Sequence, residues 1–297
     1  MSDSRTLGFI GTGVMGEPMC RNFAVKSGRP VVAFDLAHAP LERLRAFGVT
    51  VAATAGEVIT SSETVLLCLP DGAKLKALCE DANGIQAGSR AGQTFIDLGT
   101  SGAGLTREIA ARLAAKGVAW ADAPVARTRA AAQQGTLSVM VGAAPELFAR
   151  IAPLLRCIAT DITHCGGVGA GQTVKILNNM VLFQTVNALA EALALGRRAG
   201  LDSALLFDTL SKGSADSFAL RNHGIKAMLP GVFPERAFSV EYALKDLGYA
   251  LEMGRAAGVR LRGAETVEEV LKDTIAAGYG QEYFPALAKI VDKTGSE

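Results

Sequence analysis

The stretch TLGFIGTGVMG, residues 6–16, decides how the chain is expected to fold. Its first five residues form a short apolar run that is typical of a buried parallel strand, and a helical pattern follows the last glycine. Gly11, Gly13 and Gly16 complete the pattern G-x-G-x-x-G in the strand-to-helix setting that this pattern requires. The stretch predicts a dinucleotide site at the start of a helix. The residues of this predicted phosphate-binding loop are Gly11, Thr12, Gly13, Val14, Met15 and Gly16.

An acidic residue follows the second predicted strand. Val31 to Phe34 leads into Asp35, which lies nineteen residues after Gly16. A carboxylate at this place accepts hydrogen bonds from a ribose diol and repels a 2′-phosphate. Residues 36–41 contain no arginine or lysine that would hold such a phosphate. The pattern therefore favours NAD over NADP, and the alternative is that Asp35 only caps the helix that begins near Leu41.

Strands and helices continue to alternate through the N-terminal half. Alternation of this kind predicts a Rossmann-like, doubly wound and mostly parallel sheet with helices on both faces. Ligands of such sheets bind beyond the carboxyl ends of the strands. Leu69, Pro70 and Thr100 each come at or just after the end of a predicted strand, so we expect them beside the nicotinamide half of the cofactor.

The composition changes near residue 165, and no convincing strand follows Gly171. We predict an NAD-binding domain over residues 1–164 and an all-helical substrate and oligomerisation domain over residues 165–297. The run from Val174 to Ala199 is apolar on nearly every side, which is typical of a helix that is buried all round. We expect it to lead the second domain and to be buried between the domains and against a partner, in a homodimer or homotetramer.

The start of that helix carries a candidate for proton chemistry. The segment from Gly166 to Asn179 reads GGVGAGQTVKILNN, with Lys175 four residues before Asn179. Four residues make about one helical turn, so both side chains project from one face. A lysine and an amide presented in this way can protonate and orient a carbonyl oxygen.

The bulk composition excludes several classes of function. The 297 residues contain 30 basic and 29 acidic residues, so the basic surface expected of a nucleic-acid or membrane-surface binder is missing. Five scattered cysteines without a C-x-x-C pair, and a polar start without a signal-type apolar segment, predict a cytoplasmic protein. We expect no metal site, because no group of His, Cys, Asp or Glu has ligand spacing.

These motifs, in this order, resemble the β-hydroxyacid dehydrogenase family. The glycine loop is followed by Asp97-x-Gly99-Thr100, Asp122-x-Pro124-Val125, Gly171-x-x-x-Lys175-x-x-Asn178-Asn179 and Lys245-Asp246-Leu247. The resemblance covers essentially the whole chain. It implies that Lys175 is the general acid/base and that Asn178 and Asn179 help to hold a small anionic hydroxy acid or semialdehyde. It also implies that Thr100 lies on the substrate side and that Lys245 reaches the cofactor. A desolvated lysine amine in this role is expected to have a lowered pKa.

One departure bears on the substrate. Where the family has Ser-Gly-Gly after Pro-Val, this chain has Ala126-Arg127-Thr128, which replaces flexible backbone with a cation. The resemblance places these three residues at the substrate, and the arginine is similar to that of sulfolactaldehyde reductases, which bind a sulfonate. A solvated loop arginine is the alternative. The other functions left open are an imine reductase, against which Lys175 argues, and a dinucleotide-binding module without turnover.

Overall fold

The short apolar runs of the N-terminal half form one nine-stranded sheet in the structure, a computed structural model that describes residues 6–235 and 237–293. In chain order the strands are Leu7–Ile10 (β1), Val31–Phe34 (β2), Thr50–Val51 (β3), Thr64–Leu67 (β4), Thr94–Asp97 (β5), Ala119–Asp122 (β6), Val125–Ala126 (β7), Leu137–Gly142 (β8) and Ala159–Gly166 (β9).

The sheet is doubly wound. Its order is β3-β2-β1-β4-β5-β6-β8, and both β7 and β9 pair with β8. Strands β1 to β6 are mutually parallel, whereas β8 runs antiparallel to β6 and β7 and parallel to β9. The order reverses direction between β1 and β4, and the carboxyl ends of strands at such a point form a crevice for ligands. The Rossmann-like sheet predicted from the sequence is confirmed.

Helices cover both faces of this sheet because its strands are apolar on both sides. Along β4, Leu66 packs in one core cluster while Val65 and Leu67 pack in another, as the two-residue period of a strand requires. The helices are Gly16–Lys26 (α1), His38–Arg45 (α2), Ala55–Ser61 (α3), Gly72–Glu80 (α4), Ile85–Gly88 (α5), Ala103–Ala114 (α6), Arg129–Gln134 (α7) and Pro145–Leu155 (α8).

The chain divides into two units, Met1–Lys175 and Ile176–Glu297. The division falls inside a helix of 29 residues, Ala170–Arg198 (α9). The predicted domain border, between residues 164 and 165, lies eleven residues earlier. That border stays a prediction. Helix α9 begins four residues ahead of the predicted start at Val174, so its first turn is built on the glycine-containing segment.

The second unit is helical, as predicted. After α9 it contains Ser203–Leu210 (α10), the π-helical segment Leu220–Met228, Val240–Ala257 (α11), Arg262–Thr274 (α12), the π-helical turn Ile275–Tyr279, the 3₁₀ turn Phe284–Leu287 and Ala288–Lys293 (α13). Among its described residues, the β-type pairing is confined to an isolated bridge between Ser239 and Tyr283. None of the described helices has both the length and the apolar character needed to cross a bilayer.

Within one chain, helix α9 has one buried face and one exposed face. Phe183 and Val186 lie in the core of the second unit, but Val181 and Leu195 are 58% and 70% exposed. The helix is thus buried on one side only within a single chain. The burial of its other face against a partner subunit, as the sequence predicts, stays a prediction.

Candidate active site

The glycine loop after β1 has the geometry that a phosphate-binding turn needs. Gly11 has a φ of 97°, and a Cβ there would lie 2.4 Å from the carbonyl oxygen of Cys68. A Cβ on Gly16 would lie 2.0 Å from the carbonyl oxygen of Gly11, whereas one on Gly13 would meet no atom within 4 Å. Gly11 and Gly16 are therefore required by close packing. Gly13 leaves open space in front of the backbone.

The same loop leaves donors available to a ligand. No side chain caps the N-terminus of α1, so its first N–H groups are not satisfied by a side-chain cap. The hydroxyl of Thr12 is buried and has no hydrogen-bond partner among the described residues. Open space, orphan donors and a helix N-terminus together fit the pyrophosphate of a dinucleotide.

Asp35 is held rigidly beside this loop. Its carboxylate accepts hydrogen bonds from the backbone N–H of Thr12 at 2.5 Å and of Ala37 at 2.7 Å. Ala37 is the N-cap residue of α2, so the capping role considered for Asp35 is partly realised. The nearest cation along α2, Arg43, binds Glu17 through two hydrogen bonds of 2.6 and 2.8 Å and is thereby engaged.

The loops after β4 and β5 meet at the carboxyl edge of the sheet. A Cβ on Gly99 would lie 2.9 Å from the carbonyl oxygen of Leu69, so these two predicted site segments are in direct contact. Pro70 follows Leu69, and Thr100 follows Gly99 and is half-buried. The structure thus brings Leu69, Pro70 and Thr100 to one edge of the sheet, close to where Gly11 packs on Cys68.

Lys175 is buried and lies near the start of α9 within the first unit. The aspartates of the two strand-end motifs, Asp97 and Asp122, are buried as well, and Asp122 accepts hydrogen bonds from the backbone at this helix start. Burial raises the pKa of Asp97 to about 7 against the opposing hydrogen bond from the Gly99 N–H, and it also raises the pKa of Asp122. These carboxylates are packed against α9 and are not displayed to solvent.

In the second unit, the buried residues Asn179 and Asp246 form the centre of a polar cluster. The amide nitrogen of Asn179 donates to Asp246 at 2.7 Å, and its amide oxygen accepts from Asn178 at 3.1 Å. The other carboxylate oxygen of Asp246 accepts from the ammonium of Lys245 at 2.6 Å. Hydrogen bonds therefore connect three residues predicted for the site, Asn178, Asn179 and Lys245. Asp246, to which the sequence analysis gave no role, connects Asn179 to Lys245.

The loop after β7 uses its polar side chains internally. The guanidinium of Arg127 donates to the carbonyl oxygen of Thr136 at 2.6 Å, to the hydroxyl of Thr160 at 2.9 Å and to the carboxylate of Asp161 at 2.6 Å. The hydroxyl of Thr128 caps α7 by accepting from the Ala131 N–H at 3.3 Å. An anionic ligand would have to compete with Asp161 for Arg127.

Two residues that the sequence analysis left without a role contribute to this arrangement. Gln172 on α9 makes two hydrogen bonds to the loop after β5 and one to Asp97 at the end of that strand, and Asp246 joins Asn179 to Lys245. A glutamine in a first turn of otherwise small residues, and an acid directly after a predicted ligand lysine, were the available signals. Among residues 6–235 and 237–293, no group of three or more His, Cys, Asp or Glu side chains is arranged to hold a metal ion.

Comparison with known proteins gives matches over nearly the whole chain. Residues 6–167 match the family model described as the NAD binding domain of 6-phosphogluconate dehydrogenase. Residues 169–291 match the model described as the NAD-binding domain of NADP-dependent 3-hydroxyisobutyrate dehydrogenase.

Individual relatives agree with these models. The chain is 34% identical to 2-(hydroxymethyl)glutarate dehydrogenase of Eubacterium barkeri, over 98% of this chain and 96% of the relative. It is 30% identical to 2-hydroxy-3-oxopropionate reductase of Escherichia coli, over 96% and 97% of the two chains. The structure superposes on Mycobacterium tuberculosis 3-hydroxyisobutyrate dehydrogenase with L-serine at a TM-score of 0.87 and 30% identity, covering 97% of this chain and 99% of that one.

Proposed function

Because the chain belongs to the β-hydroxyacid dehydrogenase family, we propose that it is an NAD-dependent oxidoreductase that moves a hydride between nicotinamide and a short β-hydroxy acid or its semialdehyde. The observation that carries this proposal is the common edge of the sheet in the first unit. The glycine loop leaves the carboxyl end of β1, and the helix start before Lys175 is bonded to the carboxyl ends of β5 and β6. The carboxyl edge of the sheet therefore carries both the predicted dinucleotide loop and the helix start that leads to the proposed proton donor.

The roles of the residues follow from their chemistry. In the alcohol-oxidising direction the neutral amine of Lys175 accepts the hydroxyl proton while the carbinol C–H bond breaks, so that a C=O bond forms and the lysine becomes an ammonium. When bound, a nicotinamide would supply the hydride acceptor in this direction and the donor in the other. Asn179, one turn further along α9, holds the substrate oxygen with the amide hydrogen that Asp246 does not use. Asn178, Thr100 and Lys245 remain proposed ligands.

The relatives suggest the class of substrate. 2-(Hydroxymethyl)glutarate, 3-hydroxyisobutyrate and L-serine, named in similar proteins, each carry a primary hydroxymethyl group on the carbon that bears a carboxylate. We propose that this chain acts on the same group. The sulfonate alternative depends on Arg127, whose guanidinium already binds Asp161, so no observation favours it. The two alternative functions, imine reduction and dinucleotide binding without turnover, assign no role to Lys175 and Asn179.

The test is a substrate screen in which turnover is measured by the absorbance of NADH. It includes 3-hydroxyisobutyrate, 2-(hydroxymethyl)glutarate, L-serine and glycerate, with 4-hydroxybutyrate and dihydroxypropanesulfonate as acids that lack the shared group. We expect turnover with at least one of the first four. Turnover confined to the sulfonate, or none at all, would overturn the proposal.

The preference for NAD is also proposed. Asp35 is positioned by two backbone hydrogen bonds, and Arg43, paired with Glu17, is not free to bind a 2′-phosphate. We expect Asp35→Asn to weaken NAD⁺ by about tenfold, the scale for losing a charged hydrogen bond, while NADP⁺ binds no worse. Calorimetric titration of both cofactors measures this, and an equal loss for both would remove the ribose role.

We further propose that the protein is a homodimer or homotetramer in the cytoplasm. Leu177, Val181, Ala188 and Leu195 are exposed and follow one face of α9 at spacings of four and seven residues. This stripe of exposed apolar residues, which polar side chains interrupt, is most simply covered by the same stripe of a second copy. Five free cysteines suit a reducing compartment.

A further inference from the structure

The first turn of α9 is held by a buried carboxylate from the sheet. Asp122, the last residue of β6, accepts hydrogen bonds from the backbone N–H of Gly169 at 2.7 Å and of Gln172 at 2.8 Å. N–H groups at a helix start have no partner within the helix, and a negative charge there is stabilised by the helix dipole. Asp122 thus acts as a cap supplied by another element.

The contact is too close for the helix to shift. A Cβ on Gly171 would lie 2.3 Å from the carbonyl oxygen of Met140 and 2.8 Å from the carboxylate of Asp122. A Cβ on Gly142 would lie 2.5 Å from the other carboxylate oxygen of Asp122. The backbone of α9 therefore rests directly on β8, with the carboxylate enclosed between two glycines.

Gln172 connects this helix start to the loop after β5. Its side chain is fully buried, its amide oxygen accepts from the N–H of Ser101 at 3.1 Å, and its amide nitrogen donates to the carbonyl oxygen of Gly99 at 2.9 Å. These two peptide groups flank Thr100. The nitrogen also approaches the carboxylate of Asp97 at 3.4 Å. One side chain thus ties the Thr100 loop to the turn that precedes Lys175 by three residues.

We infer that Gln172, together with Asp122, is a positioning residue that sets the Lys175 amine for proton transfer relative to the loop that carries Thr100. The inference rests on the proposed role of Lys175. A rotation of the first turn of α9 displaces Lys175 and leaves the glycine loop untouched. A displacement of about 1 Å in a reacting group lowers turnover by about 100-fold, whereas cofactor affinity is unaffected.

A control residue with similar burial and hydrogen bonds distinguishes a positioning role of Gln172 from a purely structural one. Gln93 is also buried, donates to the carbonyl oxygens of Ile59 and Ser62, both at 2.7 Å, and accepts from the N–H of Arg90 at 2.7 Å. It precedes β5, at the opposite end of the strand from the Gln172 contacts. Losing Gln93 costs similar hydrogen bonds without touching α9.

The experiment compares Gln172→Met with Gln93→Met in the full-length enzyme at saturating cofactor. We expect both to lower the urea midpoint by similar amounts. Gln172→Met is expected to lower kcat by 10- to 100-fold on the best acid of the screen, with cofactor Kd changed less than twofold, and Gln93→Met to change kcat less than threefold. Equal kcat for the two variants would overturn the inference.

Two further measurements distinguish a positioning role of Gln172 from a general loss of stability. Gln172→Glu keeps the size and the acceptor and regains a donor when it is protonated, so its kcat relative to the unsubstituted enzyme is expected to rise as pH falls from 8 to 5.5. A flat ratio counts against positioning. The rate of reductive methylation of Lys175, read by peptide mass spectrometry, needs no substrate. We expect at least a threefold change in Gln172→Met only. If the enzyme turns over no acid, the proposed function fails, and this rate alone decides whether Gln172 positions Lys175.

Discussion

Arg127 occupies a backbone conformation that its side chain disfavours. Its φ of 87° makes it the one non-glycine residue with positive φ among the described residues. The guanidinium is bonded to Thr136, Thr160 and Asp161, and the hydroxyl of Thr160, followed by Arg127, lowers the pKa of Asp161. The ion pair is solvent-accessible and contributes little to stability. The strained residue is therefore held by its side-chain bonds.

This geometry predicts different stabilities for two substitutions. Arg127→Gly and Arg127→Ala lose the same side-chain bonds, but only alanine keeps the unfavourable φ. We expect the glycine variant to have an unfolding free energy about 1 kcal/mol higher than the alanine variant in urea denaturation. Because the guanidinium is already bonded, KM for the hydroxy acid should change less than twofold in both. A KM raised tenfold in both variants would instead make Arg127 a substrate ligand.

At the scale of elements, the end of β5 contains a carboxylate that prefers to stay protonated. Asp97 is buried, and desolvation, reinforced by the charge of Asp122, raises its pKa to about 7 from an ordinary value of 3.8. Between these values the folded protein keeps a proton that the unfolded chain has lost. Folding stability attributable to Asp97 is therefore present at low pH and is lost as pH rises through this window.

The size of this effect is measurable by comparison with Asp97→Asn, which cannot ionise. The unfolding free energy of the unsubstituted protein minus that of the variant is expected to fall as pH rises from 4 to 7, by at most about 4 kcal/mol. Urea denaturation at four pH values gives this difference directly. Parallel stability profiles would show that folding leaves the pKa of Asp97 unchanged.

At the scale of the whole molecule, the sequence predicted the secondary structure, which depends on local patterns, but not the contacts between residues far apart in the chain. The sheet and the helical second unit were predictable because strand and helix periods are written in short stretches such as residues 6–16. The bonds of Gln172 to Ser101 and of Arg127 to Asp161 join residues 71 and 34 positions apart. No local pattern specifies such partners. Composition alone could not show which apolar residues of α9 pack within the chain and which are left for a partner.

The exposed stripe of α9 predicts the behaviour of the assembly. Val181→Glu places a charge in the stripe, whereas Val259→Glu makes the same change at a residue outside α9 of similar exposure, 55% against 58%. We expect light scattering after gel filtration to show a smaller assembly for Val181→Glu only, because a buried unpaired charge is costly. An unchanged mass for both variants would place the interface elsewhere.

Lys175→Ala tests most directly whether Lys175 carries the proton in hydride transfer. Steady-state kinetics on the best hydroxy acid, with calorimetric titration of NAD⁺, are expected to give a kcat at least about 100-fold lower with NAD⁺ affinity within twofold, and added methylamine should restore part of the turnover. A kcat within threefold of the unsubstituted enzyme would contradict the account.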